Sequence, residues 1–222
     1  DIIGQFGVGF YSAFMVSDKV TVISRAYGAD KAYKWESSGA DGYTITECDK
    51  DGVGTDVIMH LKADDENERY SDYLQAWKIM RLVKKYSDYI RWPIRMDVER
   101  PEIKETGEKN EDGSPKYETV TKVERETINS QIPIWQRSKS EVTDEQCMEF
   151  YKEHWHDTTD PACVIRINAE GQVSYKAMLF IPGRQLLDYM TSTYEPGPEL
   201  YSSGVMIMEH CQDCLLYTSP SP

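Results

Sequence analysis

The chain lacks any apolar run long enough to cross a membrane, which removes helical membrane spans from the possible folds. Positive charge is scarce: 25 Lys and Arg stand against 38 Asp and Glu, a formal net charge of -13 over 222 residues. A balance of that sign argues against a nucleic-acid backbone or an anionic membrane as the main partner. Cysteines number five, an odd count without framework spacing, and point to a reducing compartment. Cys211 and Cys214 have Cys-x-x-Cys spacing, but a closed zinc site needs four ligands. Only the scattered Cys147, Cys163, His154 and His156 could complete one, so no metal site is expected. No thioredoxin-like strand–helix context surrounds the pair, and free thiols are expected instead. The chain also lacks an initiator Met and a targeting segment. Asp1 leads directly into a glycine motif, as in an internal piece of a longer protein.

What remains is a soluble, globular composition, 40% hydrophobic and 28% charged, long enough for one large or two modest cores. The most pointed stretch is Ile2-Ile3-Gly4-Gln5-Phe6-Gly7-Val8-Gly9-Phe10-Tyr11-Ser12. Its three glycines free the backbone and let it approach a ligand closely. Phe10 to Val16 suit a short helix. A glycine turn that opens a helix presents free N–H groups and the positive end of the helix dipole, a setting for phosphate. A flexible connection ahead of an ordinary helix is the alternative, because G-x-x-G-x-G alone does not decide. The stretch is neither a dinucleotide fingerprint nor a Walker motif: no strand precedes it and no Gly-Lys-Ser/Thr closes it.

Four segments with strand character follow: Val20 to Ile23, Tyr33 to Glu36, Tyr43 to Thr46 and Val57 to Leu61. Their links are short and rich in Gly and Asp, which favours an antiparallel meander with one buried face. A helix is expected from about Asp72 to Tyr89, with Ile79, Leu82, Val83, Tyr86 and Ile90 as its apolar stripe, ended by Trp92-Pro93. Ile94 to Val98 is one more strand. From Glu99 to Glu126 the chain is dominated by Glu, Lys, Asp and Thr, and a charged, mobile linker is expected, with Thr119 to Val123 as a short strand at its end.

A second module begins near Ile128. Thr143-Asp144-Glu145-Gln146 carries a capping-box pattern and opens a helix that Pro161 breaks off. Val164 to Ile167, Ser174 to Ile181 and Val205 to Met208 read as strands, and Leu186 to Met190 as one or two helical turns. The domain reading is therefore 1–98, a linker at 99–126, a second module at 127–216 and a tail at 217–222.

Taken together, Ile3 to Ser12, Gly54-Thr55, Val83-Lys84-Lys85-Tyr86-Ser87, Trp92-Pro93-Ile94, Pro133-Ile134-Trp135-Gln136-Arg137, Phe150-Tyr151-Lys152 and Phe180-Ile181-Pro182 resemble the ninety-kilodalton heat-shock chaperones. The resemblance runs from Asp1 to about Leu216, and the moderately charged linker is closer to the bacterial type than to eukaryotic cytosolic forms. It implies an α+β fold: part of a gyrase, histidine-kinase and mismatch-repair type of ATPase sandwich, with an antiparallel sheet plus helices, then a separate α/β middle domain. It implies an ATP-driven, cytoplasmic, dimeric chaperone that remodels non-native client proteins, with ATP and magnesium as cofactors. Carried over residue by residue, Gln5, Gly7, Val8, Gly9 and Phe10 line the triphosphate, and Thr55 places its hydroxyl at the adenine end. Successive N–H groups around glycines form an anion-binding concavity in their own right. Thr55 by itself reads as an ordinary strand threonine. Trp135 is a candidate client contact, with a core-edge anchor as its alternative.

The family's catalytic glutamate, magnesium-binding asparagine and adenine-reading aspartate match positions before Asp1, and its reaching arginine lies beyond the match. The chain alone is therefore expected not to hydrolyse ATP. Tyr217 to Pro222 departs from the family and is expected to be a cloning or assembly artefact. Two other readings compete. A gyrase-type ATPase calls for basic DNA-facing surfaces, which the charge of -13 does not supply. A non-catalytic protein-interaction module describes what this piece does in isolation.

Overall fold

The computed structural model describes residues 7–109, 113–138, 140–184, 195 and 197–212. The chain divides into two compact units, Asp1–Ile79 and Met80–Pro222. The expected helical turns at Leu186 to Met190 and the tail at 217–222 lie outside the described residues.

In the first unit a 3-10 helix, Val8–Ser12, runs into α1 (Ala13–Val16). Four antiparallel strands follow: β1 (Ser17–Arg25), β2 (Ala32–Ser37), β3 (Thr44–Cys48) and β4 (Gly54–Leu61). The first three form the expected meander. β4 does not continue it beside β3; the sheet order is β3-β2-β1-β4. The cause is the apolar content of β1, whose Val20 is wholly buried; pairing on both edges puts this strand at the centre. The loop at 49–53 can reach the far edge, since five residues span roughly 16 Å against three strand spacings of about 4.8 Å. Lys50 holds the loop through an ion pair to Asp56.

Register assigns the two faces of the sheet. Val22 lies between Trp35 and Val57, Val20 between Ser37 and Met59, and Ser24 between Tyr33 and Thr55. Trp35 in turn faces Ile45, so this side is largely apolar. It is only partly covered: Ile45 is 57% exposed, while Val22 and Trp35 are half-buried. The other side is polar. Glu36 accepts from Lys19 at 2.8 Å, Lys34 at 3.0 Å and Thr21 at 3.2 Å. The two lysines hold its carboxyl down at about 2.

The helix expected from Asp72 to Tyr89 is shorter and broken. Tyr70–Leu74 is a separate 3-10 helix, and Gln75 takes extended backbone while its N–H bonds back to Asp72. Only Ala76–Tyr86 is α-helical; this is α2, and it crosses the division between the units.

In the second unit the charged segment is not a mobile linker. β5 (Arg95–Lys109) and β6 (Pro115–Thr127) pair as a long hairpin. The segment is ordered despite its composition because its charges compensate one another, across the ladder and along β6. Arg100 forks onto both carboxylate oxygens of Glu126 at 2.7 and 2.9 Å, and Lys122 meets Glu124 at 2.6 Å. Strand-forming Val98, Ile103, Val120 and Val123 alternate with them, and each favourable cross-strand pair contributes roughly 0.2–1 kcal/mol. At the base Asn129 accepts from Ile94 N–H at 2.8 Å and donates to the carbonyls of Ile90 and Trp92.

α3 (Asp144–Trp155) starts at the expected capping box, with Thr143 and Gln146 bonded reciprocally. It ends before Pro161, at His156, which takes the left-handed conformation at φ 52°. β7 (Cys163–Ala169) pairs with β8 (Tyr175–Ile181), and β9 (Leu200–Ser202) with β10 (Val205–Met208). The core is aromatic. Tyr89, Trp135 and Tyr201 meet ring to ring at 4.7 to 5.2 Å, and Phe150 joins them to Phe180 and Trp155. Gly204, at φ +81°, sits so close to the Tyr89 carbonyl that a Cβ would lie 2.1 Å from its oxygen. Cys48, Cys147 and Cys163 are free thiols as expected, whereas Cys211 is disulfide-bonded.

Buried Asp157 ties the end of α3 down. It accepts from Tyr151 Oη at 3.0 Å and from Thr159 N–H and Oγ1 at 3.0 and 2.8 Å, and pairs with Arg184 at 3.0 Å. These bonds, those from Thr159 first, hold its carboxyl at about 2. Because the folded value lies below the unfolded one, near 4, the stabilisation is full above about pH 4 and is lost as pH falls through about 2. Urea titrations between those pH values are expected to show this loss in the wild-type chain and a flatter dependence in Asp157→Asn.

Candidate functional site

The glycine turn takes its shape from one backbone conformation. Gly7 is left-handed, φ 65° and ψ 3°, and forms the N-cap of the helical stretch without a side-chain cap. The first N–H groups after it therefore have no partner within the helix. Among the described residues, chain neighbours aside, no atom lies within 4 Å of where a Cβ would sit on Gly7 or Gly9. Ser12 Oγ donates to the Gly9 carbonyl at 2.6 Å and closes the turn. Gly4 and Gln5 lie outside the described residues.

The helical stretch is fastened to the sheet at both ends. Phe10 packs edge-on against Trp35 at 5.6 Å and Phe14 at 6.3 Å. Beyond α1, Lys62 donates its backbone N–H to Val16 O at 3.0 Å and its Nζ to Met15 O at 2.9 Å. Between helix and sheet runs a shallow groove of about 550 Å³, lined by Gly9, Phe10, Ser12, Met15, Val16 and Met59 among others.

Thr55 opens β4, and its Oγ1 lies 2.7 Å from Ser24 Oγ across the ladder. Register places Thr55, Val57 and Met59 on the same face of the sheet, the face the glycine helix lies on. Four residues of strand separate Thr55 from Met59, roughly 13 Å. The structure thus brings Gly9, Phe10 and Thr55 onto one side of one sheet, while Gly7 and Val8 precede them in the exposed turn. Ser24 and Met59 were not singled out from sequence. That Ser24 shares the phase of Val20 and Val22 is visible there, but which β4 residue faces each of them depends on the crossing of β4 to β1.

Trp135 belongs to the other unit. It lies in a 3-10 turn, Ile134–Gln136, half-buried, with Tyr89 at 4.7 Å, Tyr201 at 5.1 Å and Phe150 at 6.2 Å. Burial opposes the charge on neighbouring Glu199, but contacts from His154 Nε2 at 2.9 Å and Tyr201 Oη at 2.8 Å outweigh it and keep the carboxyl below its usual value. Among the described residues no group of three or more His, Cys, Asp or Glu side chains could hold a metal ion. No described helix is long and apolar enough to cross a membrane.

An antiparallel sheet carrying a glycine-opened helix on one face, in a mixed α+β chain, defines a class, and comparison with known proteins gives the family. Residues 96–217 match the family model described as Hsp90 protein, and the chain belongs to that family. Among curated relatives, the Chaperone protein HtpG of Clostridium perfringens strain 13 is 52% identical over 215 residues, 97% of this chain and 33% of that protein. The Chaperone protein HtpG of Bacillus subtilis strain 168 is 50% identical over the same shares, and that of Natranaerobius thermophilus 49%. The chain thus spans about a third of the length of the curated relatives it matches.

The two glycines of the turn differ in what they tolerate. Gly7→Ala forces an L residue into the left-handed region and is expected to cost about 1–2 kcal/mol, whereas Gly9→Ala meets open space and leaves stability unchanged. Thermal unfolding of the two variants, followed by Trp35 fluorescence, checks this.

Proposed function

We propose that this chain is the nucleotide-binding and middle-domain junction of an ATP-dependent molecular chaperone. The observation that supports the reading is a common face: Gly9 and Phe10, which follow the left-handed Gly7 and line the groove, share a side of the sheet with Thr55. The N–H groups of Gly7, Val8, Gly9 and Phe10 would receive phosphate oxygens, favoured by the positive end of the helical stretch. Gln5 belongs to the same proposed set. Thr55, held by Ser24, would meet the adenine end of the nucleotide. ATP, when bound, supplies the phosphoryl group whose loss drives the intact protein between conformations. The described residues offer no ligand group for magnesium, and no step is derived through it.

In the intact parent we assign ATP hydrolysis, dimerisation and action on non-native client proteins in the cytoplasm. The family match excludes a gyrase-type subunit as the closer reading. The domain reading, with boundaries at 98 and 127 and a non-native tail at 217–222, belongs to the same proposal. Trp135 is the proposed client contact through the part of its ring left open, and its ring neighbours make it an anchor of the aromatic core as well.

Three sets of measurements test these assignments. The full-length parent is expected to hydrolyse ATP and this chain to show no turnover; measurable turnover by the chain contradicts the assignment of catalytic groups to the rest of the parent. In the parent, Thr55→Val is expected to weaken adenine-nucleotide binding about tenfold, the value of one lost hydrogen bond near 1.4 kcal/mol. For Trp135, alanine substitution is expected to cost on the order of 2 kcal/mol, less than for a fully buried ring. Client binding measured on the folded fraction then separates contact from anchor.

A further inference from the structure

Among the described residues the β5–β6 hairpin is a sheet of two strands, so each strand keeps one edge without a strand partner there. The two edges are not equivalent. Ile128 donates its N–H to Ile94 O at 2.9 Å, directly across the ladder. Opposite residues in an antiparallel pair alternate between bonding each other and turning their N–H and C=O outward. Counting on from Ile94, the odd-numbered residues of both strands turn outward as far as the pair Glu105–Tyr117. Pro101, opposite Thr121, falls in that set. Its missing N–H therefore takes nothing from the hairpin and interrupts the outer edge of β5.

The outer edge of β6 has no such interruption. From Tyr117 through Thr119, Thr121 and Val123 to Arg125 it offers an unbroken run of outward N–H and C=O groups, with side chains on one exposed face. Along β6 that face is strand-forming and uncharged from Tyr117 to Val123: Tyr117 is 59% exposed and Val123 61%, while across the ladder it carries Ile103, 71% exposed, between Glu99 and Glu105. The other face of β6 is acidic. Glu124 is neutralised by Lys122 and Glu126 by Arg100, and Glu118 has no ion pair among the described residues.

We propose that the outer edge of β6 captures an extended polypeptide segment as a third strand. The segment it selects alternates apolar side chains, set beside Tyr117, Thr121 and Val123, with basic side chains, one of them set beside Glu118, the β6 carboxylate with no ion pair among the described residues. A second copy of this chain is a poor occupant, since a net charge of -13 sets copies against each other and favours a basic partner. The edge is defined by the ladder alone and does not depend on the nucleotide reading.

The probe is a fluorescent peptide of about eight residues alternating valine and lysine, titrated against the 222-residue chain by anisotropy. Saturable binding is expected, at least about tenfold tighter than for the valine–glutamate counterpart. Thr121→Pro removes one outward N–H and is expected to weaken the basic peptide about tenfold with unchanged far-UV circular dichroism. Val120→Pro removes an inward donor and dissolves the hairpin. A peptide N-methylated on alternate amides, presented on its bonding edge, repeats the test without altering the protein and decides the matter should Thr121→Pro unfold. Equal affinity for the methylated peptide, equal affinity of a folded Thr121→Pro chain, absence of saturable binding, or a chain that dimerises through β6 instead would each overturn the proposal.

Discussion

Pairing of β1 on both edges is the constraint on which the candidate site depends. With Val20 buried at its centre, β1 takes β2 on one side and β4 on the other, and the antiparallel register then leaves no freedom in which residues share a face. Had β4 stayed beside β3, Thr55 would pair away from Ser24, and Met59 would not lie under the glycine helix. A one-residue slip would turn the same side chains to the polar face, where Glu36 gathers two lysines. The site is thus a consequence of strand order before it is a consequence of any motif.

The second unit rests on a different kind of interaction. Tyr89 packs edge-to-face on Trp135 and Tyr201, as Phe150 does on Trp135 and Trp155, geometry that contributes beyond area burial, about 0.5–1.5 kcal/mol per pair. The cluster is closed by groups that tolerate little change: Gly204 against the Tyr89 carbonyl, Glu199 between His154 and Tyr201, and Asp157 under Tyr151. Burial pushes the hydroxyls of Tyr89 and Tyr201 well up, so both stay neutral and able to donate at any ordinary pH. The charged hairpin beside this core shows how ion pairs and β-branched residues can order a segment that hydropathy alone assigns to loop.

Much of this was legible in the sequence, and the failures have definite causes. The glycine turn and the capping box at Thr143 were readable because each is local: a few residues determine the conformation. The existence of the ten strands among the described residues was mostly readable from alternation, although β9 was missed because three residues carry no period. The crossing of β4 was not, since short links constrain reach and not order. The hairpin at 95–127 was misread because net composition hides which charges face one another. Thr55 was selected by resemblance alone; its partner Ser24, 31 residues away in sequence, is a fact of register.

The central claim is that the open N–H groups at Gly7 to Phe10 and the hydroxyl of Thr55 address one nucleotide on one sheet face. Amide chemical-shift perturbation in the isotopically labelled full-length parent, titrated with a non-hydrolysable ATP analogue, tests it most directly. The account predicts that the amides of Gly7, Val8, Gly9 and Phe10 shift together with Thr55, saturating at one common ligand concentration, while Trp135 and the β5–β6 hairpin remain unperturbed at their own contacts. Saturable nucleotide binding that leaves the Gly7–Phe10 amides in place would contradict it.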